Sequence, residues 1–329
     1  MTKIIMYAVL PAERPYIDHW AQEHQVTVKC VPDRLDAQTV ALAKGCDGID
    51  FQQTASLPAS VYEQLEAMHF KQLTVRIVGV DMIDFALAKK HHLIVTNVPA
   101  YSPRAIAELG LTQTMRLIRK LGYYDQRMAN YDFRWSGLES TEIYNLTIGV
   151  IGAGHIGGAT AQLYQTLGAK VLAVDPFHHA DLLPYLTYTD LPTLLAQADV
   201  ISLHTPLSAE TANLVDATFL AKMKSSAYLI NMARGGLVDT SALIKALQTN
   251  QIAGAALDTL ADETQFFERA AQAEEIPDDY LTLKVMPNVL ITPHCAFYTR
   301  TAMKNTVEMG LDDVLAIIKG QQPRYEVCG

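Results

Sequence analysis

Long apolar runs are missing from this sequence. No stretch approaches the roughly 18 residues that a membrane-spanning helix needs. The apolar start, "MTKIIMYAVL", stops at Pro11, and Glu13 and Arg14 follow at once. It lacks the long core and small-residue cleavage site of a signal peptide and reads as a first strand. Basic residues are the minority, with 26 Lys and Arg against 35 Asp and Glu and a formal charge of −9. Gripping a nucleic-acid backbone needs a basic face, so no nucleic-acid partner is expected. Cysteine is scarce. Cys30, Cys46, Cys295 and Cys328 lie too far apart for a zinc spacing or a disulfide framework. Four reduced thiols in a cytoplasmic protein are the expectation. His91–His92 and His178–His179 are adjacent pairs, and neither helix nor strand geometry turns adjacent side chains onto one ligand face. No metal site is expected.

What the sequence has is regular alternation. Half of its 329 residues are apolar, which suits about two domains with a core each. Five short strand-like runs precede residue 100: "KIIMYAV", "VTVKC", "CDGID", "LTVRI" and "LIVTN". Helical patterns such as "VYEQLEAM" and "IDFALAKK" separate them. This is βαβ wiring and predicts a mostly parallel sheet. In "NVPAYSPRAIAELGLTQTMRLIRKL", Ser102 suits an N-cap and Pro103 the first helical position. Apolar residues then recur at helical spacing, which predicts a long helix over 102–120. From Leu146 the alternation restarts with "TIGVIG", "KVLAVD", "DVISLH", "AYLINM", "IAGAALD" and "NVLITP", the six strands of a full dinucleotide-binding fold. "ERAAQAEEIPDDY" reads as an acidic exposed excursion, and a helix is predicted over about 300–319.

The turn Gly152-Ala153-Gly154-His155-Ile156-Gly157 follows the first strand of this second set. The first glycine allows a tight turn, the second lets backbone approach a pyrophosphate, and the third lets helix and strand pack closely. The helix N-terminus then offers free N–H groups to phosphates. Such a motif alone is weak. Here a strand precedes it, a helix follows, and Asp175 ends the next strand 18 residues beyond Gly157. A carboxylate there hydrogen-bonds the ribose diol and repels a 2′-phosphate, and no arginine follows nearby, so NAD is favoured over NADP.

In a doubly wound sheet the site lies at the carboxyl ends of the strands. Three strands there lead to Arg234 in "AYLINMARGG", to Asp258 and Glu263 in "GAALDTLADE", and to His294 in "NVLITPHC". Taken singly, each has an ordinary reading. Arg234 suits a loop charge, Glu263 beside Asp262 a solvated acid, and His294 a structural imidazole. Together, beside a dinucleotide motif, they suggest chemistry. An arginine fork grips a carboxylate. An imidazolium gives a proton to a carbonyl oxygen. A neighbouring carboxylate favours the charged imidazole. The combination suits reduction of a 2-keto acid to a 2-hydroxy acid.

At these motifs the sequence resembles the D-specific 2-hydroxyacid dehydrogenases, over essentially its whole length. The residues carrying the resemblance are "RIVGVDMID" (76–84), "NVPAYSPRAIAE" (97–108), "GVIGAGHIG" (149–157), "NMARGGLVD" (231–239), "LDTLADE" (257–263) and "ITPHCAFYT" (291–299). It implies a catalytic trio of Arg234, Glu263 and His294. It implies that the substrate carboxylate meets backbone N–H groups of Val78 and Gly79, with Tyr101, Phe297 and Tyr298 at pocket positions. Ala233, Asp258 and the segment His204-Thr205-Pro206 fall at cofactor positions, with Gly152, Gly154, His155, Ile156, Gly157 and Asp175. It further implies two doubly wound α/β domains: a flavodoxin-like substrate domain (1–100 plus 300–329) and a Rossmann NAD-binding domain (101–299). Crossings near 100 and 299 would form a hinge whose closure excludes water. A homodimer through the 102–120 helix is also implied.

Within the family the chain looks like the D-lactate and D-2-hydroxyisocaproate branch. The signs are the 31-residue separation of Glu263 and His294 and the "AFYT" after the histidine. Arg104 and Cys295 depart from the usual residues without removing a catalytic group. Phe51 falls where lactate-type members often carry Tyr and broader ones Leu, and is expected to wall the pocket. Pyruvate is the first expectation, a branched or aromatic 2-keto acid the second. An NAD-sensing binding protein is the reading from another class, since fold alone does not decide function.

Overall fold

In the computed structural model the described residues are 1–267 and 269–327; Cys328 lies outside them. The chain divides into two compact units, Met1–Ser102 with Tyr298–Gly329, and Pro103–Phe297.

The first unit is built on β1 (Lys3–Tyr7), β2 (Thr27–Cys30), β3 (Gly48–Phe51), β4 (Gln72–Val75) and β5 (Ile94–Asn97). They form one parallel sheet in the order β2-β1-β3-β4-β5, the flavodoxin-like order. All residues of β3 and β4 are buried, as expected of central parallel strands covered on both faces. One face carries Ile5, Ile49, Leu73 and Val95 against Val61 and Leu65 of helix Ala59–Ala67. The other packs Ile4 and Met6 against Val307, Leu311 and Val314 of helix Arg300–Ile318. Thr299 starts that helix as N-cap, its side chain accepting from Ala302 N.

The second unit carries β6 (Thr147–Ile151), β7 (Lys170–Val174), β8 (Thr187–Tyr188), β9 (Val200–Leu203), β10 (Tyr228–Asn231), β11 (Gly254–Leu257) and β12 (Val289–Ile291). Their order is β12-β11-β10-β9-β6-β7-β8, all parallel. This is the dinucleotide-binding order with a seventh strand at one edge. Six of these seven strands are legible in the sequence. The seventh, β8, has only two residues and so no periodicity to detect. The expected long helix is Pro103–Ile118, and its buried Thr114 hydroxyl meets Tyr164 OH of helix His155–Thr166 at 2.6 Å. A further helix, Leu121–Ala129, was not anticipated and buries none of its residues. The acidic excursion holds one short 3₁₀ turn, Ala273–Glu275, and the start of helix Asp278–Lys284.

Candidate active site

The strand order of the second sheet reverses between β6 and β9, and a doubly wound sheet binds its ligand at that switch, outside the strand carboxyl ends. The glycine turn sits there because its backbone allows nothing larger. Gly152 has φ +87°, and a Cβ on it would meet His204 and Thr205 backbone at 2.8 Å. A Cβ on Gly157 would collide with Gly152 O. These contacts press the turn against the segment after β9 and the helix against the strand. Gly154, the N-cap of helix His155–Thr166, has nothing within 4 Å of its Cβ position, so that face is open. Asp175, just past β7, braces the turn: its carboxylate accepts Ala153 N at 2.6 Å and Phe177 N at 2.7 Å. A carboxylate has about four acceptor positions, so capacity for a diol remains. Behind Thr205 and Pro206, His204 Nε2 meets Ser202 Oγ at 2.9 Å. Burial pushes this imidazole down to about 4, leaving it neutral. Its buried Nδ1 has no partner among the described residues.

Open backbone at a helix N-terminus, a carboxylate one strand over and an orphaned buried ring nitrogen suit a dinucleotide. Gly152, Gly154, His155, Ile156, Gly157 and Asp175 are therefore the residues that would hold NAD.

At the ends of β10, β11 and β12 the structure gathers the charged side chains. Asn231, buried at the end of β10, accepts Ala233 N and donates to Arg234 O at 2.9 Å. This staples the turn that presents Arg234. Gly235 follows because a Cβ there would run into Leu260 backbone, so the turns after β10 and β11 lie in contact. Glu263 folds back on its own loop, Oε2 accepting Leu260 N at 2.8 Å, and its Oε1 meets His294 Nδ1 at 2.5 Å. That pair is only 13% and 21% exposed. Burial opposes protonation of His294. The Glu263 hydrogen bond and charge overcome it, with Arg234 opposing and Asp258 assisting, and the imidazole ends above its ordinary value.

His294 itself has φ +51°, a conformation that costs a non-glycine residue energy. Asp258 holds it there. Its carbonyl accepts His294 N at 2.7 Å, and its carboxylate accepts Thr292 Oγ1 at 2.6 Å, Cys295 N at 3.0 Å and Ala296 N at 2.9 Å. Asp258 is 1% exposed. In this structure it clamps the histidine loop, a use that its position after β11 did not announce. Asn231 and Thr292 were missed as well. A fully buried Asn ending an apolar strand was the available signal, because Asn is depleted in strands without a polar task.

The remaining expected residues are distributed as follows. Phe297, in the second unit, lies with its ring edge-on to His294, centroids 6.5 Å apart. In the first unit, Val78 and Gly79 follow β4, Tyr101 is mostly buried and Tyr298 is half exposed. Phe51 ends β3 with its ring wholly buried in the apolar cluster beside Ile49 and Val75. It presents no open surface, unlike the pocket wall expected from the sequence. A cavity of about 280 Å³ lined by Lys120, Tyr123, Tyr228 and Pro287 lies at the amino ends of β10–β12, away from the charged trio.

Residues 111–296 match the family model described as D-isomer specific 2-hydroxyacid dehydrogenase, NAD binding domain. The chain is 44% identical to D-lactate dehydrogenase of Lactiplantibacillus plantarum over 94% of each chain. It is similar to the NAD-complexed D-isomer specific 2-hydroxyacid dehydrogenase of Lactobacillus delbrueckii ssp. bulgaricus, with TM-score 0.91, 51% identity, and 99% and 100% of the two chains covered. It is also similar to D-2-hydroxyisocaproate dehydrogenase, with TM-score 0.92, 36% identity and both chains covered in full.

Proposed function

As a member of the D-isomer specific 2-hydroxyacid dehydrogenase family, this chain is, we propose, the NAD-dependent enzyme that reduces pyruvate to D-lactate. The observation that carries this reading is the His294–Glu263 pair at 2.5 Å, within the field of Arg234. Bound at the glycine turn, NADH supplies the reducing equivalents as a hydride. Arg234 grips the substrate carboxylate with its fork and polarises the neighbouring carbonyl. His294, kept charged by Glu263, delivers its proton to the carbonyl oxygen as the carbon is reduced. In the reverse direction the same imidazole, neutral, takes the hydroxyl proton. Val78 and Gly79 contribute backbone N–H groups to the carboxylate, with Tyr101, Phe297 and Tyr298 as pocket residues.

The test is NADH oxidation with pyruvate, 4-methyl-2-oxopentanoate and phenylpyruvate, on the protein and on Arg234→Lys. Pyruvate should be turned over best. The Lys variant keeps the charge but loses the fork, and should lose at least 10-fold in kcat/KM. Best turnover of a bulkier acid would support the broader dehydrogenase. NADH binding without turnover of any acid would support a sensing role.

A homodimer belongs to the same reading. Helix Pro103–Ile118 spends its apolar face inside its own unit. The expected interface through that helix is therefore moved to the segment after it, where Tyr131, Phe133 and Trp135, among other apolar side chains, are more than 70% exposed. Light scattering tests this: Trp135→Asp should shift the mass toward one chain. No helix among the described residues is long and apolar enough to cross a membrane. Cys30, Cys46 and Cys295 are free thiols, which suits the reducing cytoplasm.

A further inference from the structure

Within the first unit, one side chain aims the backbone that the proposed reading gives to the substrate carboxylate. Asn97, the last residue of β5, donates from Nδ2 to Val78 O at 2.7 Å. Its own N–H goes to Tyr325 O at 3.2 Å, and Val98 N goes to Ile77 O at 3.2 Å. On the other side, Arg76 is wholly buried. Its Nε donates to Glu13 at 2.9 Å, one terminal nitrogen to Asp50 at 2.6 Å and the other to Ala8 O at 2.9 Å. Residues 76–79 are thus held at both ends.

Between those anchors, the N–H groups of Val78 and Gly79 donate to no protein acceptor among the described residues. Consecutive unpaired backbone N–H groups are available to an anion where a turn brings them to one side. A trans peptide is planar, with its C=O and N–H pointing in opposite directions. The hydrogen bond on Val78 O therefore fixes the direction of the Gly79 N–H.

We propose that Asn97 is a positioning residue for substrate: by holding Val78 O it orients the Gly79 N–H toward the carboxylate of the 2-keto acid. This rests on the functional reading above. The contribution belongs to binding of the carboxylate and not to proton transfer, so it should appear in KM and leave kcat nearly alone. Orienting one hydrogen bond to a charged group is worth roughly 10- to 100-fold in affinity.

The experiment compares the protein with Asn97→Ala and Asn97→Asp. The alanine removes the donor without adding charge. The aspartate keeps size and shape but sets an acceptor against Val78 O, and it remains informative should the alanine variant fold poorly. Measured are KM and kcat for pyruvate, Ki for oxamate (a non-reacting carboxylate analogue), NADH affinity by fluorescence, and the melting temperature. Expected are KM and Ki raised together by 10-fold or more, most in Asn97→Asp, with kcat within about threefold and NADH affinity unchanged. A lowered melting temperature with KM and Ki at wild-type values would make Asn97 a purely structural residue and overturn the proposal. Failure of the wild-type protein to reduce any 2-keto acid would overturn the functional reading instead.

Discussion

Asp258→Asn preserves the size of a side chain that is 1% exposed while removing part of its acceptor capacity. The carboxylate accepts Thr292 Oγ1 and Cys295 N on one oxygen and Ala296 N on the other. An amide in this place must point its NH₂ at one of these donors. The milder orientation keeps the first two bonds and sets NH₂ against Ala296 N–H. One buried donor then loses its charged acceptor, at a cost of about 1–3 kcal/mol. For a unit of this size each kcal/mol lowers Tm by roughly 2–4 °C, so a loss of about 2–12 °C is expected. The kinetic consequence follows from the backbone. His294 is held at φ +51° by its N–H on Asp258 O and by the loop that the carboxylate clamps. A loosened loop lets that residue relax toward ordinary backbone and carries the imidazole off line. Misplacement by about 1 Å costs on the order of 100-fold, so kcat for pyruvate reduction should fall by roughly 10- to 100-fold. The assays are a thermal melt, steady-state NADH oxidation and NADH titration by fluorescence. An unchanged Tm and kcat with weakened NADH binding would refute the clamp. Asp258 would then be the cofactor contact that its sequence position first suggested.

Glu263→Gln tests the acid–base pair through pH. His294 must be protonated for reduction, so the wild-type rate should fall as pH rises through its raised pKa, and Gln should move that fall to lower pH; an unmoved profile separates the two residues. The same sign governs stability. The pair's contribution is full below the unfolded imidazole's pKa and is lost as pH rises through the folded one, so the wild-type advantage over Glu263→Gln in a melt should shrink toward alkaline pH. Asp175→Ala should raise the NADPH/NADH ratio of kcat/KM by relieving repulsion of the 2′-phosphate; an unchanged ratio would mean that the carboxylate only braces Ala153 and Phe177. Phe51→Leu should lower Tm, because the ring is wholly buried among Ile49 and Val75, and should leave the ratio of kcat/KM for 4-methyl-2-oxopentanoate and pyruvate unchanged. A ratio shifted by about 10-fold toward the bulkier acid, the worth of a methylene or so of fit, would instead make Phe51 a pocket wall.

The parts of this molecule that sequence periodicity reaches are those where one physical demand acts on many neighbouring residues. Buried parallel strands must be apolar throughout, so "TIGVIG" and "DVISLH" announce β6 and β9, while the two residues of β8 announce nothing. The glycine turn is legible because steric demands at Gly152 and Gly157 leave no alternative residue. Arg234, Glu263 and His294 are legible as types at strand ends, but their pairing is not. Residues 263 and 294 meet only because β11 and β12 are adjacent and in register, Leu257 opposite Ile291. The supporting polar residues are the least legible of all. Asn97, Asn231 and Asp258 each act on backbone groups that carry no side-chain identity, so their partners leave no mark in the sequence. Val78 O and Ala296 N look like any other peptide until the chain brings them to a donor or an acceptor. Yet these bonds decide where an N–H or an imidazole points. A site of this kind is therefore written twice in the chain. Its reactive groups appear as residue types in motifs. Its precision comes from buried and half-buried amides and carboxylates whose only sequence signature is a polar residue where an apolar strand should have continued to be apolar.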